Sequence, residues 1–184
     1  MNYSRRWLRL ALVAGFCACR ADDLTVYTVP KEAPAAPETQ APSSQAPDLA
    51  WTAPYGWTKK SASGMRLASY GVPGPDGEAD LSIVVLPGEA GGDLANVNRW
   101  RGQLGLPTLQ EGELAGKSST LSSRAGPLRL VDFAGGAGHE DTRLLAALFS
   151  VRGQTWFFKL SGKQATVADA KPAFLGFLKS VRRG

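Results

Sequence analysis

A single histidine, His139, stands beside Glu140 and Asp141 in a glycine-rich stretch, the one place where an imidazole and carboxylates are neighbours in this chain. Such a trio can supply a general base with an orienting acid, or part of a metal site. A metal normally draws three or four ligands at a recognisable spacing. Here there is no second histidine, no His-Glu-x-x-His pattern, and the only cysteines, Cys17 and Cys19, lie close to the start. No Gly-x-Ser-x-Gly elbow is present, so a small hydrolase or cell-wall-modifying enzyme using His139 with Glu140 or Asp141 needs an unmarked serine. The simpler reading is a turn carrying solvated polar side chains. Neither a metal nor a cofactor is expected.

A second candidate is the run from Asn96 to Gln103. At a helical period Leu94, Val97, Trp100 and Leu104 share one side, with Asp93 placed to cap the start, and Arg101 falls among these apolar positions while Arg99 and Gln103 point away. An arginine there is costly unless a carboxylate or several carbonyls meet its donors. Two readings follow. One is a structural ion pair with a strand acid such as Asp80 or Asp132. The other is a pocket in which Asn98, Trp100 and Arg101 receive a polar ligand or a partner. Just upstream, Gly88 to Asp93 resembles an anion-cradling loop but lacks the Lys-Ser/Thr of a phosphate loop, and Glu89 and Asp93 would repel phosphate, so a structural turn is expected.

These residues need elements to position them. Trp51 to Ala53 reads as an opening strand, and Trp57 offers a second tryptophan to the core. Met65–Val72 and Leu81–Leu86 read as strands joined as a hairpin through Pro73-Gly74-Pro75-Asp76-Gly77. After the helix come strand-like runs at about 114–122, 128–134, 143–151 and 154–161. The last two, LLAALFSV and TWFFKLSG, are so apolar that at least one belongs at the centre of the sheet. A final helix is expected over Val167–Val181, kinked or restarted at Pro172. Strands paired antiparallel with a helix between and a helix at the end make an α+β layered domain over residues 51–184.

The start of the chain has a different logic. Arg5, Arg6 and Arg9 precede an apolar run of nine residues, Leu10–Ala18, too short to span a bilayer, which takes about 20. This order is that of a secretory signal, residues 1–18. The run closes on Phe16-Cys17-Ala18-Cys19, which resembles the lipobox of bacterial lipoproteins, with Cys19 as the thiol that receives diacylglycerol. In that family Leu is usual three residues before the cysteine, where this chain has Phe16. Arg20 rather than Asp follows Cys19, which in enterobacterial lipoproteins leans toward the outer membrane. The resemblance thus implies a lipid anchor facing the periplasm.

Residues 19–50 then read as a linker; from about Val29 to Ala50 it carries Pro30, Pro34, Pro37, Pro42 and Pro47 and almost no large apolar side chain. Such a segment cannot bury enough surface to offset its ordering entropy, so an extended tether is expected. Cleavage would remove three arginines, leaving eighteen basic against sixteen acidic side chains, and the remaining excess is scattered. That balance points away from nucleic acid, which calls for a basic stripe with interleaved aromatics.

The domain also resembles the Mog1/PsbP-like family, including the DcrB-like lipoproteins. The residues that carry this are Pro54-Tyr55-Gly56-Trp57, the late strand Trp156-Phe157-Phe158-Lys159-Leu160, and the ending Ala170-Lys171-Pro172-Ala173-Phe174 through Phe177-Leu178-Lys179-Ser180-Val181. The resemblance implies an α/β/α sandwich and a binding or accessory role, and supplies no catalytic residues. The expectation is therefore a non-enzymatic envelope lipoprotein that binds a protein or small polar ligand, with a hydrolase and a purely structural envelope protein as alternatives.

Overall fold

A computed structural model describes residues 49–184. The signal-like segment, Cys19 and the proline-rich stretch lie outside the described residues.

Alternation decides the architecture. In the two most apolar strands, β7 (Thr142–Val151) and β8 (Gln154–Lys163), successive side chains feed two different cores. Leu145, Trp156, Phe158 and Leu160 turn one way, Leu144, Ala146, Leu148 and Phe157 the other. Strands buried on both faces have no solvent side, which is why they read as continuous apolar runs. They sit in the middle of a seven-stranded antiparallel sheet. Its order is β2 (Thr58–Lys60), β3 (Arg66–Gly74), β4 (Gly77–Pro87), β8, β7, β6 (Pro127–Ala134), β5 (Ser118–Ser122).

One face is covered by α3 (Gln164–Ser180), which presents Val167, Ala170, Phe174, Phe177 and Leu178 to Tyr70, Leu81, Ile83 and Phe158. The other is covered by α1 (Asp93–Gln103), whose Val97 and Trp100 meet Val131, Phe133 and Phe157. Each of these large side chains contributes roughly 1.5–3 kcal/mol relative to exposure. The result is the three-layer α/β/α sandwich expected from the sequence. Among the described residues no helix is long and apolar enough to cross a membrane.

The β3–β4 hairpin forms as expected, with Gly74 opposite Gly77 around Pro75-Asp76. Gly77 supplies the left-handed backbone (φ 100°), and a side chain on Gly74 would collide with Thr166 of α3. Thr166 also accepts from the Asp76 amide at 3.1 Å, tying the turn to the helix start.

Four expectations are corrected. The opening strand is not Trp51–Ala53 but β1 (Leu49–Ala50), paired antiparallel with β9 (Arg182–Arg183) at the other end of the domain. Fully buried Leu49 thus belongs to the core although it falls within the segment read as linker. Residues 114–117 are helical, in α2 (Glu113–Lys117), because Gly112 turns the chain through the left-handed region and the Glu113 carboxylate takes the Gln110 amide. Only 118–122 are strand. Asp93 does not cap α1; Gly92 occupies that position, and the Asp93 carboxylate is drawn instead to Arg129 Nε at 2.7 Å. Finally, α3 does not restart at Pro172 but runs on through it.

Candidate functional site

The residues singled out on α1 converge on the loop that follows it. Asn98 Nδ2 donates to Leu109 O at 3.0 Å while the Leu109 amide donates to Asn98 Oδ1 at 2.7 Å. A side-chain amide here completes a backbone pair much as a neighbouring strand would. Arg101 is buried (8% exposed), its Nε donating to Pro107 O at 2.8 Å and its guanidinium lying 4.9 Å over the Phe133 ring. Trp100 meets Phe157 edge-on at 6.0 Å. Asn98 and Arg101 thus hold the 104–109 loop over the smaller core, into which Trp100 packs.

The ion pair expected for Arg101 is not formed. Asp80 is held by Arg66 at 2.9 Å. Asp132 lies on the opposite sheet face, where Arg143 grips it through two bonds of 2.8 and 2.7 Å and Lys171 of α3 adds a third at 2.8 Å. A backbone carbonyl and an aromatic face serve the arginine in their place. Of the three cavities described below, none is lined by Asn98, Trp100 or Arg101.

His139, Glu140 and Asp141 lie exposed in the β6–β7 turn. Its own backbone amide, and then the Gly138 amide donating at 2.9 Å, hold the Glu140 carboxyl below its ordinary range, and the pairing with Lys163 does the same for Asp141. The imidazole packs against Gly105, where an added Cβ would come within 2.9 Å of His139 Cδ2. The Gly136 amide donates to Leu104 O at 2.8 Å, so this turn buttresses the loop after α1. Among the described residues no group of three or more metal-ligating side chains is assembled. The Gly88–Asp93 loop is a structural turn: Asn96 Nδ2 donates to the carbonyls of Ala90 and Gly92, both at 2.8 Å, and Thr155 donates to Gly88 O at 2.7 Å.

Two electrostatic features were not legible in the sequence. Burial pushes the Asp132 carboxyl up, but the hydrogen bonds and charges of Arg143 and Lys171 outweigh it and hold the group below its ordinary value. The ammonium of Lys159, half-buried on the central strand, makes no hydrogen bond or ion pair among the described residues; burial lowers its pKa, Arg66 adds repulsion, and Asp80 opposes both. Its place beside Ser82 follows from the β4–β8 register, which no local pattern announces.

Surface cavities open elsewhere among the described residues. One of about 520 Å³ is lined by Asp93, Thr120, Arg129, Ser150 and Arg183. A second, of about 500 Å³, opens beside the start of α3 between Asp76, Glu140, Asp141, Arg143 and Lys163. A third, of about 250 Å³, is lined by Lys117, Ser119, Leu130, Asp132 and Lys171. The first and third lie along the same edge strand, β5, one toward each face of the sheet.

No family model matches the chain, and no curated protein is similar to it. Among solved structures it is similar to LpqN of Mycobacterium tuberculosis, described as involved in cell envelope biogenesis. The likeness is 12% identity over 73% of this chain and 82% of that one, with a TM-score of 0.48. A Bacteroides thetaiotaomicron protein is similar at 9% identity over 74% of this chain and 45% of its own, TM-score 0.46. The cyanobacterial PsbP of Synechocystis shares 15% identity over 74% of this chain and 93% of its own, TM-score 0.44.

Proposed function

We propose that this chain is a non-enzymatic cell-envelope lipoprotein, its domain presented from the membrane as a binding or accessory module. The observation that carries the reading is the basic start and short apolar run ending on Ala18-Cys19, followed by a proline-rich stretch that stops where the folded domain begins. Cys17 falls in the leader and Cys19 at the anchor, so the domain carries no cysteine and is held together by packing. Arg20 in place of Asp supports the outer membrane as the site of the anchor.

Within the domain, the side chains best equipped for chemistry serve their own chain: Asp141 binds Lys163, Glu140 binds the Gly138 amide, and Arg101 binds Pro107. A binding role needs no catalytic group, only an accessible surface, and the cavities along β5 supply one. In-cell photo-cross-linking from the exposed surface of the full chain should yield a discrete adduct with an envelope protein. No adduct, together with a small-molecule thermal-shift screen that moves no melting temperature, would contradict the reading.

A further inference from the structure

The sheet has two edges, and they are treated differently. The β2 edge is three residues long and carries Lys59 and Lys60, the kind of charge that discourages another strand from pairing. The β5 edge is Ser-Ser-Thr-Leu-Ser: no charge, no proline and no bulge in its pairing with β6. It is an unblunted edge.

Its hydrogen-bonding phase follows from the turn that joins it to β6. Ser123 and Gly126 exchange both backbone bonds, N to O at 3.0 Å and back at 3.3 Å, so they form a hydrogen-bonded pair. Such pairs alternate along an antiparallel ladder. Ser122 opposite Pro127, Thr120 opposite Arg129 and, at the start of the strand, Ser118 opposite Val131 are therefore the non-bonded pairs. Pro127, which has no N–H, stands where none is needed. The amides and carbonyls of Thr120 and Ser122 consequently point away from the sheet, both residues are exposed, and no hydrogen bond reaches those amides from the described residues.

Cavities flank this strand on both faces. Thr120 shares its side with Arg129 and the 520 Å³ cavity, and Ser119 shares its side with Leu130 and the 250 Å³ cavity. The first is lined by Asp93, Arg129 and Arg183, with Arg129 paired to Asp93; the second by Asp132, Lys117 and Lys171, with Lys171 paired to Asp132. Each cavity thus has one more cation than carboxylate.

The geometry points to β5 as a docking site for an extended, acidic segment of a partner protein, which adds as an eighth strand and sends one acidic side chain into each cavity. The assignment rests on the reading of the domain as a binding module and gives it a partner chemistry. Main-chain bonds to Thr120 and Ser122 supply the affinity, and the two cavities supply the selectivity. Successive residues of a strand point to opposite faces, so the two acidic residues must be an odd number of positions apart.

The test is amide hydrogen exchange on the full chain with a short Thr/Val peptide carrying two adjacent Glu at its centre. Exchange at Thr120 and Ser122 is expected to slow by about tenfold or more. The effect should be lost when alternate peptide amides are N-methylated, and weakened when the two Glu are moved one residue further apart. Thr120→Pro removes an outward N–H and leaves the β5–β6 bonds in place; it should abolish the protection. Lys117→Glu, an exposed change outside the strand, should weaken binding of the acidic peptide and improve that of a Lys-bearing one.

Peptide binding that leaves both amides unprotected overturns the assignment. So does an absence of peptide binding in a chain that still gives its in-cell adduct after Thr120→Pro, a result that leaves the envelope-binding reading standing. Protection that grows with protein concentration alone assigns the edge to a second copy and also overturns the proposal.

Discussion

Asn98 and Leu109 are joined by two hydrogen bonds in opposite directions, one donated by the side-chain amide and one accepted by it. This pairing decides how the loop after α1 lies, because Leu109 is buried and its backbone has no strand beside it at this point. Asn98→Ala should cost about 1–3 kcal/mol by leaving Leu109 N and O without partners. Asn98→Asp is the sharper test. The carboxylate still accepts from the Leu109 amide but faces the Leu109 carbonyl as an anion. Its defect should therefore shrink as pH falls and the group becomes able to donate, and a pH-independent defect would show that the second bond contributes nothing.

Arg101 is read as a structural residue with a carbonyl and a ring for partners. Arg101→Met should lower the melting temperature by about 5–10 °C, since a buried hydrogen bond to a charged group and a cation–π contact are lost together. Arg101→Lys keeps the charge but not the planar fork, and should recover less than half of that loss. A normally stable Arg101→Met protein would return this residue to the list of ligand-binding candidates.

Asp132 sets an acid limit on stability. Its carboxyl is held below its ordinary value in the folded state by Arg143 and Lys171, despite burial. A group depressed in this way stabilises the fold above its unfolded pKa of about 3.9 and loses that contribution as pH falls through the folded value. Asp132→Asn should accordingly be less stable by about 1–2 kcal/mol at neutral pH, with the gap to the parent closing below about pH 4. Chemical denaturation across that range checks it, and parallel curves at all pH values would contradict the assignment.

What was legible in the sequence was what depends on neighbours in the chain. The hairpin at Pro75-Asp76, helix α1, and the doubly buried strands β7 and β8 all follow from local pattern, since their periods and turn residues lie within a few positions. The pairing of Leu49 with Arg183 was not, because it joins the two ends of the domain and only two residues take part on each side. Helix α2 escaped for a different reason: five residues are too few to show a period, and a side-chain-to-backbone bond from Glu113 helped decide the matter.

The candidate site shows the same division. That Arg101 turns inward was readable from the helical period, but its partner was not. The acids that stood out in the sequence, Asp80 and Asp132, are claimed by Arg66, Arg143 and Lys171 through strand register and sheet face. The β5 edge carries no unusual residue at all. Its interest lies in bond phase and in the cavities beside it, neither of which three serines, a threonine and a leucine can display.

The central claim is that Cys19 is lipidated and holds the domain to the membrane. Metabolic labelling with radioactive palmitate in a lipoprotein-processing bacterium, followed by membrane fractionation of the parent and Cys19→Ser, tests it most directly. The account predicts a labelled, membrane-bound parent and an unlabelled variant that leaves the membrane fraction or stalls with its leader uncleaved. A Cys19→Ser protein that still takes up label and still sediments with the membrane would contradict it.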